Sequence, residues 1–319
     1  CLVIGGGGYV GTALVAELLK LGCSVSVLDL FWFGDYLPHG KDLKILNKDA
    51  RDVCTQDLRG VDVVFHFAGV ANDPSSSLNP ALCWDIALTS VYKLAEAALR
   101  LKAPPRIIFA SSGSVYGVQS IDRVTEDLEL FPMTTYNKSK IAAERTLLSY
   151  SDALSIQIVR PATVCGVSPR MRLDLAVNIL TASAVINGAI TVFGGEQYRP
   201  NIHINDLVQV YIHLLCNPTL KGIYNAGFEN MRITEIAQII SRKTGARIKV
   251  EDSNDPRSYR IDSTKLLATG FHPTKTIHNA IDEVINALKN KEVDLGDFNS
   301  NVNWMRHLIN EGKIDVVFN

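Results

Sequence analysis

The stretch Leu2-Val3-Ile4-Gly5-Gly6-Gly7-Gly8-Tyr9-Val10-Gly11 decides the fold, because it joins a strand-like apolar run to a glycine-rich turn that opens a predicted helix. Backbone can approach a diphosphate closely only where no Cβ intervenes, and the first helical turn then offers free N–H groups. We therefore expect Gly5, Gly8, Tyr9, Val10 and Gly11 to bind the diphosphate of a dinucleotide. The spacing fits both GxGxxG and GxxGxxG, so the subtype of the turn stays open.

The ends of the next three predicted strands suggest the rest of a cofactor site. At the end of the second strand, the Asp29 carboxylate would accept hydrogen bonds from both ribose hydroxyls and repel a 2′-phosphate, which favours NAD over NADP. Asp49 and Ala50 close the third strand and would contact adenine. The small residues of Phe67-Ala68-Gly69 close the fourth strand and would let the cofactor pass over the sheet. We predict NAD as the cofactor.

Short β-rich runs alternate with helical patterns along the first half of the chain. Strands are predicted at 2–4, 24–30, 44–49, 61–67, 106–110 and 155–160, and helices at 9–21, 80–101, 136–150, 173–187, 204–216, 234–244 and 277–289. Near-continuous Val, Ile and Leu in the strands indicates a parallel sheet buried between two helix layers. We predict an α/β fold, with a Rossmann-type doubly wound parallel sheet in residues 1–165 and a smaller mixed α/β C-terminal substrate lobe in 166–319. Segments around Val192 and at 201–204 are expected to return to the first domain.

The composition argues against several classes of function. The chain has 319 residues with 32 basic and 33 acidic side chains, so no overall positive charge attracts nucleic acid or an anionic membrane. The longest apolar runs are strand-sized, and we expect neither a membrane span nor a signal peptide. The six cysteines lie far apart, without a CxxC pair, which predicts reduced thiols in a cytoplasmic protein and no metal site.

A candidate catalytic group comes from two further segments. Tyr136 and Lys140 lie four residues apart in a predicted helix, so their side chains share one face. Lowering the pKa of a tyrosine by about 3 units needs about 4 kcal/mol, which an adjacent ammonium and a cationic nicotinamide can supply. Ser112, in Ser111-Ser112-Gly113-Ser114-Val115-Tyr116-Gly117, follows the fifth strand at the sheet edge where ligands bind. Its hydroxyl can bond to the oxygen that gains or loses a proton.

Together these motifs resemble the NAD-dependent nucleotide-sugar epimerase/dehydratase family of the extended short-chain dehydrogenase/reductases. The resemblance extends over nearly the whole chain and includes the segments at 160–166 and 199–206. It implies that Tyr136 is the acid/base, that Lys140 is its pKa partner and also binds the cofactor ribose, and that Ser112 lies beside the sugar oxygen.

The resemblance also implies a nucleotide-sugar substrate. Asn178 matches the family's Asn that contacts the substrate diphosphate, and Arg199 and Arg257 match the arginines that bind the diphosphate and nucleotide. A guanidinium group suits this role because it pairs bidentately with phosphate oxygens. Arg170 and Arg172 are further candidates. The nucleotide base and the sugar do not follow from the sequence. The predicted substrate-binding residues are Ser112, Ser114, Asn178, Arg199 and Arg257.

Departures from the family pattern narrow the range of reactions that the chain is expected to catalyse. Dehydratases of the family carry an acid pair where this chain has Gly113 and Ser114. The 3,5-epimerases place a Cys in that loop and a His or Lys later, where Ser114 and Ser168 stand. Neither activity is well supported. Ala87 aligns with an Asn of most members, and Cys165 replaces a Tyr, which leaves a reactive thiol as a minor alternative.

These observations predict an NAD-dependent nucleotide-sugar epimerase that acts at C4 by transient hydride transfer through a 4-keto intermediate. One alternative is a 4-keto-sugar reductase or another NAD(P)-dependent enzyme that modifies NDP-sugars, although Asp29 argues mildly against NADPH. Another is a non-catalytic NAD-sensing protein, a class that commonly lacks the Tyr or Lys of the catalytic pair. The resemblance further implies a homodimer formed through the helices at 80–101 and 136–150.

Overall fold

The central layer is a parallel sheet of seven strands. The structure is a computed structural model that describes residues 1–119, 122–253 and 258–314. In spatial order the strands are β10 (Gly222–Ala226), β6 (Ile156–Pro161), β5 (Arg106–Ala110), β4 (Val63–His66), β1 (Leu2–Ile4), β2 (Val25–Asp29) and β3 (Leu43–Asn47). The strand order reverses between β1 and β4, and doubly wound sheets bind ligands outside the carboxyl ends of the strands at such a point.

Four long helices cover the two faces of the sheet. They are α1 (Tyr9–Lys20) and α6 (Ile204–Cys216) on one face, and α3 (Pro80–Leu99) and α4 (Thr135–Leu148) on the other. Successive strand residues point to opposite faces. Val3 and Phe65 therefore pack in the α1–α6 core, whereas Leu2, Ile4 and Val64 pack in the α3–α4 core. Burial on both faces explains the near-continuous apolar strands, and the predicted Rossmann-type fold is confirmed.

The second half of the chain builds two small sheets around a separate apolar core. One joins β11 (Glu229–Arg232), β9 (Tyr198–His203) and β7 (Thr163–Cys165), and the other joins β12 (Arg247–Glu251) to β8 (Ala189–Phe193). The core lies among α5 (Ala176–Asn187), α7 (Ile233–Thr244) and α9 (Ile277–Lys289). The other elements are α2 (Asp73–Leu78), α8 (Thr264–Leu267), α10 (Asn301–Asn310) and 3-10 turns at Ala50–Asp52, Gly113–Tyr116 and Asp297–Asn299.

The segments expected to return to the first domain lie in different places. Val192 lies in β8, which pairs with β12 in the second half of the chain. Asn201 lies in β9, which pairs in parallel with β7 at Thr163, and the neighbouring Ile202 packs in the α1–α6 core. A further segment, β10, joins the central sheet and pairs in parallel with β6 from Gly222 opposite Gln157 to Ala226 opposite Pro161. Within the described part of the chain, no helix is long and apolar enough to cross a membrane.

Candidate active site

A cavity of about 710 Å³ opens where the strand order of the central sheet reverses. A volume of this size suits a cofactor or a small-molecule ligand. The predicted cofactor and catalytic residues all line it, as do some of the predicted substrate residues. The predicted residues on the lining are Gly5, Gly8, Tyr9, Val10, Gly11, Asp29, Asp49, Ala50, Phe67, Ala68, Gly69, Ser112, Ser114, Tyr136, Lys140 and Arg199.

The glycine turn forms one wall of the cavity and leaves no room for a side chain at Gly5 or Gly11. A Cβ at Gly5, whose φ is +81°, would lie 2.4 Å from the backbone nitrogen of Ala68. A Cβ at Gly11 would lie 2.6 Å from the carbonyl oxygen of Gly5, so this glycine lets α1 pack directly against the turn. Gly8 is the N-cap of α1, and no side chain caps the helix there. The first turn of α1 thus presents backbone to the cavity, which fits a diphosphate.

Asp29 links the turn to the end of β2. Its Oδ2 accepts a hydrogen bond from the Gly7 N–H at 2.8 Å, and its Oδ1 accepts one from the Phe31 N–H at 2.8 Å. Burial raises the pKa of Asp29, while the backbone N–H bonds act in the opposite direction. Each carboxylate oxygen keeps a further lone pair. Asp29 can therefore accept ribose hydroxyls while it holds the turn, and together with the glycine wall it fits NAD.

Ala50 and Asp49, the two residues expected to contact adenine, differ in whether their side chains are already bonded to other residues. Ala50 is buried at the start of a 3-10 turn and lines the cavity. Asp49 also lines the cavity, but its carboxylate is bound by the Arg51 guanidinium at 2.6 Å and accepts the Arg51 N–H at 2.8 Å. The Asp49 side chain is therefore largely committed to Arg51.

A chain of hydroxyls lies beside Tyr136. The Ser112 side chain acts to lower the pKa of Tyr136, and its Oγ lies 2.8 Å from Ser114 Oγ. Ser114 Oγ in turn donates to Asn137 Oδ1 at 2.7 Å. Because each hydroxyl has a single proton and Ser114 gives its own to Asn137, Ser112 donates to Ser114. The hydrogen bonds therefore run in one direction from Ser112 to Asn137.

Lys140 lies one helical turn after Tyr136 and is buried. Its Nζ donates to the Ala110 carbonyl at 2.8 Å and lies 6.0 Å from the centroid of the Tyr136 ring. Burial lowers the pKa of Lys140 to about 8 and raises the pKa of Tyr136 to about 12. The expected lowering of the pKa of Tyr136 is thus not supplied by the residues of the chain, because the effect of burial on the pKa outweighs the opposite effect of Ser112.

Two positions that depart from the family pattern are buried. Ala87 borders a small cavity of about 10 Å³ that Cys83, Ser139 and Lys140 also line, so the space beside Lys140 has about the size of one water molecule. The Cys165 thiol donates to the Ile202 carbonyl, and burial raises its pKa. Cys165 is therefore a structural thiol rather than a reactive one.

The structure does not bring Asn178 to the cavity. Asn178 is fully buried in α5, where its Oδ1 accepts the Gly166 N–H at 3.0 Å and its Nδ2 donates to the Arg172 carbonyl at 2.9 Å. Its amide satisfies the backbone of the loop before α5, and the expected contact with the substrate diphosphate stays a prediction. Arg257, the other predicted arginine, lies outside the described residues.

Several lining residues were not predicted as site residues. Trp32 and Phe33 follow β2, and Asn301 and Met305 lie on α10, yet all four line the cavity together with Arg170. The apolar spacing of α10 at Val302, Met305 and Leu308 is a helical signal that the sequence does offer. No local pattern indicates that this helix packs at the mouth of a cleft formed by residues far earlier in the chain.

Comparisons with known proteins agree with this geometry. The sequence profile of the NAD dependent epimerase/dehydratase family matches residues 1–227. The chain is 28% identical over 318 residues to a UDP-glucose 4-epimerase of Lactobacillus helveticus, with 89% of this chain and 94% of that protein covered.

Solved structures show the same fold. The UDP-glucose 4-epimerase of Thermus thermophilus, solved in complex with NAD, superposes with a TM-score of 0.80 at 25% identity, over 90% of this chain and 98% of that one. An NAD-dependent NDP-hexosamine 5,6-dehydratase, TunA, superposes with a TM-score of 0.83 at 24% identity, over 92% and 98% of the two chains. The second likeness supports the fold alone.

Proposed function

This chain belongs to the NAD-dependent epimerase/dehydratase family, and from that premise we propose that it is a UDP-sugar 4-epimerase. The similar proteins named as UDP-glucose 4-epimerases support UDP as the nucleotide and C4 as the reacting carbon. In the proposed division of the chain, residues 1–165 bind NAD, and the sugar nucleotide lies between them and residues 166–319.

The observation that carries the proposal is the set of proton-handling groups around Tyr136. Inverting C4 requires one proton to leave and return at a single oxygen, and one phenol is enough for that. Ser112 and Ser114 lie beside Tyr136, with Ser114 bound to Asn137, at the place where elimination of water would need a carboxylic acid. Asp73, the carboxylate that acts on the pKa of Tyr136, accepts a hydrogen bond from Thr134.

In the proposed reaction, the cofactor and each of these residues have separate roles. NAD, when bound, supplies the hydride acceptor and donor for C4 of the sugar. Tyr136 removes the proton of the C4 hydroxyl and returns it, and Ser112 holds the same oxygen through its hydroxyl. Lys140 places positive charge beside Tyr136 and reaches the cofactor ribose. Arg199, which lines the cavity, and Arg257 bind the diphosphate and nucleotide of the substrate.

The proposal is tested by incubating the NAD-loaded enzyme with UDP-glucose, UDP-galactose and UDP-glucuronic acid. We expect a product of unchanged mass. Its proton NMR spectrum should show a changed H3–H4 coupling constant, which reports inversion of the configuration at C4. A substrate deuterated at C4 should keep its deuterium, because hydride leaves and returns without exchange with water. Loss of water, loss of carbon dioxide, or a stoichiometric requirement for NADH would contradict the epimerase proposal and identify the alternative.

We also propose that the enzyme is a homodimer of the cytoplasm. Helices α3 and α4 pack against each other, and Tyr92 on α3 is half exposed. All six cysteines are free, which suits a reducing compartment. Light scattering at micromolar concentration should give twice the chain mass of 35.0 kDa. Tyr92→Glu should shift the population towards monomer, and a wild-type monomer would refute the dimer.

A further inference from the structure

Arg170 is a buried arginine on the wall of the cavity. It is 2% exposed, and it lines the cavity together with Gly7 and Asp29. Its guanidinium stacks on the ring of Phe33 at 4.1 Å from the centroid, and its backbone N–H donates to Thr12 Oγ1 in the first turns of α1 at 3.4 Å. Arg170 therefore lies beside the N-terminus of α1 and the loop that follows β2.

Among the described residues, no carboxylate forms an ion pair with Arg170. Its guanidinium donates to uncharged oxygens, the Phe298 carbonyl at 3.3 Å and Asn301 Oδ1 at 2.6 Å. The nearby Asp174 is paired with Arg172, with Arg172 Nε 2.9 Å from Asp174 Oδ1. Burial lowers the pKa of Arg170 to about 10. A buried cation without a counter-charge is costly, so an anion that enters this part of the cavity gains more than it would at the surface.

The two oxygens that hold Arg170 belong to the last 3-10 turn and the last helix of the described chain. We call residues 297–310 the C-terminal segment. Its α10 lies against the cavity, where the Trp304 Nε1–H donates to the Trp32 carbonyl at 2.5 Å and the Asn301 N–H donates to Asp174 Oδ2 at 3.0 Å. Met305 packs in an apolar cluster with Val70 and Ile86. The C-terminal segment thus ties the loop after β2 to the elements that follow β4.

From this placement we propose that Arg170 binds the diphosphate of NAD, and that Asn301 of the C-terminal segment positions its guanidinium for that contact. The glycine turn supplies backbone N–H groups from one side, and Arg170 supplies the positive charge from the other. The proposal goes beyond the 4-epimerase function, because it assigns a cofactor ligand to the second half of the chain. It also makes retention of NAD dependent on the C-terminal segment.

The position of Arg170 favours the cofactor over the substrate as the source of the diphosphate. Its neighbours include Thr12 on α1 and Phe33 after β2, and its charge acts on Asp29, the predicted ribose ligand. Arg172 lies close enough to lower the pKa of Arg170, and it also acts on the pKa of Tyr136, at the sugar end of the cavity. Of the two arginines, Arg170 is the one that acts on Asp29.

The test measures binding rather than turnover, so it does not depend on which sugar the enzyme accepts. NAD and UDP are titrated by calorimetry into cofactor-stripped protein. Arg170→Met should weaken NAD binding by about 30-fold, because it removes one charge-assisted contact, and should leave UDP binding unchanged. The NAD affinity of Arg170→Lys should lie between those of the wild type and Arg170→Met, because lysine keeps the positive charge but cannot donate two parallel hydrogen bonds as a guanidinium does. Arg306→Met, on the exposed face of α10, is the matched control and should bind NAD like the wild type.

The variant Asn301→Asp tests more directly than Arg170→Met whether Asn301 positions the Arg170 guanidinium. The new carboxylate would pair with Arg170 and compete with the diphosphate, so NAD should bind about 10-fold more weakly although the hydrogen bond is kept. In the Arg170→Met background the same change should have little further effect, because the group through which it acts is gone. If Arg170 only anchors the C-terminal segment, Asn301→Asp would leave NAD binding unchanged. That result, or a loss of UDP binding instead of NAD binding in Arg170→Met, would overturn the proposal.

Discussion

Replacing Tyr136 by Phe is expected to lower kcat for C4 inversion by about 10³-fold or more, which is the usual contribution of a positioned acid/base. The phenylalanine ring keeps the packing near Lys140 but removes the hydroxyl whose pKa Ser112 acts on. The NAD affinity should stay within about threefold of the wild type, because the glycine wall and Asp29 are untouched. Single-turnover kinetics with a stable-isotope-labelled UDP-sugar, together with calorimetry for NAD, measure the two quantities separately.

A tyrosine control distinguishes this effect from the loss of any phenol. Tyr92→Phe removes a half-exposed hydroxyl on α3, outside the lining of the cavity, and should leave kcat unchanged. Retention of more than a tenth of the wild-type rate by Tyr136→Phe would exclude Tyr136 as the acid/base. Ser112 would then have to move the proton by itself.

The second large effect concerns stability rather than catalysis. Arg160 and Glu144 are both buried and form a bidentate pair, with Arg160 Nη2 2.7 Å from Glu144 Oε2 and Nε 3.0 Å from Oε1. Arg160 also donates to the Tyr116 hydroxyl, which donates to Asn225 Oδ1 on β10. Arg160→Met leaves the Glu144 carboxylate buried without a partner, so the free energy of unfolding should fall by about 3–5 kcal/mol. In thermal scans Tm should fall by roughly 5–8 °C.

Two further variants show whether the buried charge is the cause. Lys20→Met breaks the exposed pair with Glu17, and such a surface pair should cost less than about 1 kcal/mol. Arg160→Met combined with Glu144→Leu removes both charges and should recover much of the lost Tm, because no uncompensated carboxylate remains. A double variant as unstable as Arg160→Met would assign the loss to packing around Tyr116 instead.

Several strands and helices in both halves of the chain could be predicted because their signals are local. The strands Leu2–Ile4 and Arg106–Ala110 and the helices Ile204–Cys216 and Ile277–Lys289 begin and end where the apolar pattern predicts. The small strands were harder to predict for identifiable reasons. The strand β12 is mostly exposed, and β9 contains Pro200, a residue that argues against a strand. These strands pair with partners far away in the sequence, and the local pattern of apolar residues does not indicate which strands pair.

The site divides in the same way. The predicted cofactor and catalytic residues, all at positions up to 140, could be assigned to one site from the sequence. Most of them follow predicted strands whose carboxyl ends meet at one edge of the sheet, and the structure places them around one cavity. Their catalytic and binding roles stay predictions. Asn178 and Arg170 show the limit, since both lie within one short stretch of the chain. Only tertiary packing decides that the amide of Asn178 satisfies the backbone while Arg170 faces the cavity.

The return of β10 to the central sheet affects how the protein can be synthesised. After β6 has emerged from the ribosome and until residues 222–226 have emerged, β6 can pair with β5 on one side but keeps an open edge on the other, and unpaired edges of buried strands attract other chains. The network that ends at Asn225 on β10 also stays incomplete over that interval. A nascent chain therefore completes its nucleotide-binding layer only after much of the second half has emerged.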